Sequence, residues 1–167
     1  MKDSSKKKPS RPAAERENNE QKLVSIHRIL VPIDFSDHSK SALRYAVEFA
    51  AIVHAELFLV YVVEPAMYPA DFSFGQVALP DFGNELRERG EEGLKNLVRD
   101  IIHNTVPARA VVRTGKPFLE IIDAAEEENI DLIMIASHGH TGVEHILFGG
   151  TAEKVIRKAL CPVFVVR

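Results

Sequence analysis

The sequence predicts a doubly wound α/β sandwich, with five parallel strands and helices on both faces of the sheet. Two patterns predict it: short apolar runs rich in β-branched residues recur along the chain, and amphipathic stretches of helical period separate them. Size agrees. The 167 residues, 46% of them hydrophobic, suit one soluble domain able to bury about two-thirds of its unfolded surface.

Residues 28–33 (RILVPI) form the first run, almost continuously apolar, as in a strand buried on both faces. Residues 37–53 follow as a helix, with Ala42, Leu43, Ala46, Phe49, Ala50 and Val53 at helical spacing. Residues 56–63 (ELFLVYVV) are the second strand. Residues 84–103 read as a charged amphipathic helix with Leu86, Gly90, Leu94, Leu97, Val98 and Ile101 facing inward. Residues 108–113 (ARAVVR) are a shorter strand. A helix over 117–128 starts on Pro117, where the missing N–H costs little. Residues 131–136 (DLIMIA), 151–159 and 162–166 complete the order as strand, helix and strand.

Two stretches lie outside this alternation. Residues 1–25 are polar, Lys/Arg-rich and poor in large apolar side chains, so they read as a disordered tail preceding a domain over 26–167. The tail lacks the apolar core of a secretory signal, and Glu15, Glu17 and Glu20 argue against a transit peptide. Residues 64–83 (EPAMYPADFSFGQVALPDFG) make a long connection with three prolines and several aromatics, suited either to a binding lid or to local packing.

Composition removes several classes of function. No run approaches the ~18 apolar residues of a membrane-spanning helix. Lys and Arg total 21 against 24 Asp and Glu, a net charge of -3, which argues against a general nucleic-acid binder. The single cysteine, Cys161, precludes an intrachain disulfide and fits a reducing, cytoplasmic setting. It reads as a small packing residue. His138, His140 and His145 are close in sequence, but zinc needs three or four ligands and no cysteine cluster assists, so no metal site is expected. Ser36, Ser39 and Ser41 read as helix-start residues, and no catalytic triad can be assembled.

In an open parallel sheet, ligands bind beyond the carboxyl ends of the strands, where the strand order switches. Two segments stand there. After the fourth strand, Gly139, Gly142, Gly149 and Gly150 surround the mouth of the last helix, with the hydroxyls of Ser137 and Thr151. Glycine lets backbone N–H groups approach a ligand, and a helix N-terminus favours an anion. Turns and caps explain many such glycines equally well. After the first strand, Pro32-Ile33-Asp34 places a carboxylate that suits either a ribose hydroxyl or a cap for the next helix.

From about Ile26 to Arg167 the chain resembles the universal stress protein family. The matching pieces are ILVPIDFSDHSKSALRYA, the TGKP segment, and DLIMIASHGHTGVEHILFGGTAEKVIRKALCPVFVVR. The resemblance implies a flavodoxin-like (HUP-type) sheet in the order 3-2-1-4-5. It also implies a homodimer paired through the last strand, from Pro162 to Val166, an apolar edge that needs cover. ATP-binding members resemble the pattern G-x2-G-x9-G-[ST]. Here Ala136 stands at the first glycine, Gly139 and Gly149 match, and Gly150 replaces the hydroxyl residue. The resemblance puts adenine and ribose contacts on Pro32, Ile33, Asp34 and Val62, with Ile135 lining the pocket. His138 also falls within the motif, and Thr151 offers a hydroxyl one position on. The expected function is that of a stress-response regulatory dimer binding ATP, with Mg²⁺ arriving on the phosphates, or a related adenine nucleotide. It is not expected to be a catalyst. The departures at Ala136 and Gly150 keep open a nucleotide-free interaction protein, and a slow ATPase is a third reading.

Overall fold

The computed structural model describes residues 25–64, 82–139 and 148–167. The tail over 1–24 and most of the long connection, 65–81, lie outside the described residues, as do His140, Gly142 and His145. Strands β1 (Arg28–Ile33), β2 (Glu56–Val63), β3 (Ala108–Thr114), β4 (Leu132–Ala136) and β5 (Val163–Val166) alternate with helices α1 (Asp37–Val53), α2 (Phe82–Leu97), α3 (Pro117–Glu127) and α4 (Gly150–Lys158). The strands form one five-stranded sheet in the order β3-β2-β1-β4-β5. Every pairing is parallel, with Ile33 beside Tyr61 and Ala136 beside Val166 at the carboxyl ends.

The continuous apolar runs follow from burial on both faces. Alternate residues of β1 enter opposite cores: Ile29, Val31 and Ile33 pack with α1 and α2, and Leu30 packs with α3 and α4. Ile29, Leu30, Val31, Leu57, Leu59 and Ile133 have no accessible surface. Burying each such side chain fully is worth about 1.5–3 kcal/mol. Among the described residues no helix is long and apolar enough to cross a membrane.

Element boundaries move by small amounts for local reasons. β4 starts at Leu132, just after Asp131, whose side chain is engaged with the start of β1. Its Oδ2 accepts hydrogen bonds from the N–H of His27 (2.8 Å) and of Arg28 (2.9 Å), closing the start of that strand. β5 starts after Pro162, which has no N–H to contribute to the ladder. Glu127, in the acidic run Glu126-Glu127-Glu128 at the end of α3, is held from outside the helix. Arg113 on β3 grips Glu127 through two bonds of 2.8 and 3.0 Å, and Glu120 at 2.9 Å. Hydrogen bonding to Arg113, more than its charge at a distance, lowers the Glu127 pKa. Cys161 is half-buried and packs against the α3–α4 core, and burial pushes its thiol pKa up.

The second helix departs from the expected period. After Leu97 the backbone takes one turn of π-helix, Val98–Ile102. The wider turn shifts the inward face by one residue, so Ile102 is buried at 1% exposure while Ile101 is only half-buried. Ile102→Ala is therefore expected to lower unfolding free energy by about 2–4 kcal/mol, with about 1 kcal/mol for Ile101→Ala. Urea denaturation of the two variants checks this, since a regular α-helix would reverse their order.

Candidate functional site

A cleft of about 300 Å³ opens at the carboxyl ends of β1, β2 and β4. It lies where the chain leaves β1 toward one face of the sheet and β4 toward the other, the switch point of this topology. Pro32, Ile33 and Asp34 form the β1 wall, Val62 comes from β2, and Ile135 and Ala136 come from β4. His138, Gly139, Gly149, Gly150 and Thr151 complete it, so the strand-end residues expected to bind nucleotide are brought to one place. Sequence reasoning missed Tyr61, Pro117 and Ile121, which also line the cleft. Pro117 stands in the TGKP segment; Tyr61 and Ile121 looked like ordinary core positions.

Asp34 is held by the turn that follows it. Its Oδ1 accepts from the Ser36 N–H (3.0 Å) and the Ser36 hydroxyl (2.6 Å). Ser36 is the N-cap of α1, its Oγ accepting from the Ser39 N–H at 3.1 Å. The cap, Ser36, and the candidate ribose contact, Asp34, are thus two residues linked to one another by hydrogen bonds, rather than alternatives for Asp34. Between them Phe35 adopts φ = 65°, unusual for a residue with a side chain. Its ring packs 4.8 Å from that of Tyr61. Two glycines of α2 make room: a Cβ at Gly93 would meet the Phe35 ring at 2.7 Å, and one at Gly90 would come within 2.6 Å or less of the Tyr61 ring.

The opposite wall is assembled on Ser137. Its N–H donates to the Val166 carbonyl and its carbonyl accepts from the Gly149 N–H, both at 2.7 Å. Its hydroxyl lies 3.0 Å from Nδ1 of His138, whose ring stands 6.1 Å from that of His38. Gly149 is the N-cap of α4 and carries no side-chain cap. The first backbone bond of α4 is Glu153 N–H to the Gly149 carbonyl, so the N–H groups of Gly150, Thr151 and Ala152 have no acceptor within the helix. Thr151 and Ala152 line the cleft with Gly150. Such a terminus favours an anion.

The glycines differ in kind. A Cβ on Gly139 would collide with the Asp34 carboxylate, whereas one on Gly150 meets nothing within 4 Å. Gly139 therefore allows the two walls to approach, and the departure at Gly150 leaves open space. Among the described residues no group of three or more His, Cys, Asp or Glu is placed to hold a metal ion.

These features define a doubly wound α/β protein with a small-molecule cleft, suited to a ligand with an anionic end, at its topological switch. The universal stress protein family model matches residues 25–167, and the chain belongs to that family. It is 35% identical over 143 residues to a universal stress protein of Methanocaldococcus jannaschii, covering 84% of this chain and 81% of that one. It is 32% identical to universal stress protein YxiE of Bacillus subtilis, over 85% and 99% of the two chains. The solved structure of protein MJ0577, a universal stress protein of M. jannaschii, superposes with a TM-score of 0.73 at 29% identity, over 86% and 96% of the chains.

Gly139→Ala should lower stability by about 1–3 kcal/mol by displacing the Asp34 carboxylate. Gly150→Ser should stay within about 0.5 kcal/mol of the parent. Equilibrium denaturation of both variants measures the contrast.

Proposed function

We propose that this chain binds an adenine nucleotide in the switch-point cleft and acts as a regulatory dimer rather than as a catalyst. Asp34 takes the ribose or adenine side, between the apolar walls of Pro32, Ile33, Val62 and Ile135. The phosphates meet Gly139, Gly149, Gly150 and Thr151 at the start of α4, and His138 and Ala136 close the floor. The observation that carries this reading is the shared cleft: a carboxylate and an uncapped helix N-terminus line one cavity between apolar walls. Two solved universal stress proteins of this fold support it as analogues. One is a complex with cAMP (TM-score 0.60, 18% identity) and one, from Archaeoglobus fulgidus, is a complex with dAMP (TM-score 0.60, 21% identity).

ATP with Mg²⁺ is compatible with the cleft, since Mg²⁺ keeps most of its waters and needs few protein ligands. The regulatory role is favoured because the cleft offers binding groups, and Oδ1 of Asp34, the one carboxylate among its described lining residues, already accepts two hydrogen bonds. A nucleotide-free role is less favoured because the cavity is open, and space remains at Gly150. A cytoplasmic protein is the matching setting. The dimer is proposed through β5, where Phe164 is 53% exposed and Leu160, just before it, 84%. An apolar edge strand of that kind needs cover.

Calorimetric titration of nucleotide-stripped protein with ATP and Mg²⁺ tests the binding. We expect one nucleotide per subunit and a loss of at least about tenfold in affinity for Asp34→Ala, the size of a charge-assisted hydrogen bond. Unchanged affinity in that variant refutes the pocket assignment. For the dimer, Phe164→Lys should give a folded monomer in sedimentation velocity.

A further inference from the structure

We propose that the cleft selects adenine ligands with at most two negative charges on the phosphate end, a nucleoside monophosphate or its cyclic form, over ATP free of divalent cation. This rests on the reading of the cleft as an adenine-nucleotide site and adds a rule of charge to it. The described residues lining the cavity include neither lysine nor arginine; their ionisable members are one carboxylate, Asp34, one imidazole, His138, and the phenol of Tyr61. The two internal stretches outside the described residues, 65–81 and 140–147, follow β2 and β4 in the chain. In sequence these stretches hold no lysine or arginine.

Among the described residues, positive potential in the cleft comes from the N-terminus of α4, equivalent to about half an elementary charge. Gly150 contributes its N–H there and no hydroxyl. The lysines nearest in sequence to the lining are engaged elsewhere or stand at the rim. Lys154 and Lys158 lie 5.0 and 5.6 Å from the centre of the Phe118 ring, Lys40 pairs with Asp37 at 3.7 Å, and Lys116 is exposed beside Pro117. Half a positive charge and a few N–H groups match a monophosphate. The four charges of free ATP, placed in a cleft that already holds a carboxylate, repel without a counter-ion. A divalent cation on the phosphates removes that repulsion.

The test is calorimetry on the full chain, stripped of nucleotide, with AMP, cAMP, ADP and ATP, first in EDTA and then with Mg²⁺. In EDTA, AMP and cAMP should bind at least about tenfold tighter than ATP. Mg²⁺ should raise ATP affinity and leave cAMP affinity unchanged. Gly150→Lys, which places a cation in open space at the phosphate end, should narrow the gap between AMP and ATP in EDTA. ATP binding in EDTA as tightly as AMP overturns the charge rule while leaving the nucleotide site intact. Absence of binding by all four overturns the nucleotide reading itself.

Discussion

The backbone of Ser137 is the joint on which the site depends. One peptide plane is bonded to β5 through Val166, and the next is bonded to the N-cap of α4 through Gly149. This fixes the end of β4, the last strand and the opening turn of the last helix in one frame. Neither hydrogen bond is strong on its own, each contributing about 1 kcal/mol. Their value is geometric, because they determine where the uncapped end of α4 points. Ser137 is 2% exposed, so water does not compete for these bonds.

The facing wall depends on a different device. Phe35 holds a left-handed backbone conformation that costs about 1–2 kcal/mol for a residue with a Cβ. Its ring, packed on Tyr61 over Gly93, supplies the compensation. The turn places Ser36 where it caps α1 and binds Asp34 with the same hydroxyl. Helix α2 thus bears on the cleft without lining it, through two glycine notches and two aromatic rings. The network of Arg113 with Glu120 and Glu127 steadies α3, whose first turn forms another part of the rim.

The strands were legible because a parallel sheet covered on both faces leaves a continuous apolar run, and each of the five runs is a strand. Helix α1 was legible to the residue because Ser36 caps it and its apolar positions keep a strict period. The π turn after α2 was not: Ile101 and Ile102 are both apolar, and only the local backbone decides which faces inward. The site was legible in its glycines and in Asp34, since loops at strand ends carry polar and small residues for a limited set of reasons. The packing of Phe35 against Gly93 was hidden because it joins segments nearly sixty positions apart with no charge or motif to mark them. The hold of Arg113 on Glu127 was hidden for a different reason: the two residues stand on separate elements, β3 and α3, and charge alone does not say which arginine meets which glutamate.

The scarcity of cations around the cleft has a practical side. Trypsin cuts after lysine and arginine, and the sequence has neither between Arg44 and Arg87, nor between Lys116 and Lys154. Most of the lining of the cleft, from β2 and from the stretch between α3 and the opening of α4, lies within those two intervals. A tryptic footprint of the protein would pass over the part of the molecule where ligand effects concentrate. Proteases that cut at aromatic or acidic side chains have sites within both intervals, Tyr61, Glu120 and Asp123 among them, and they are the reagents suited to following that part of the chain.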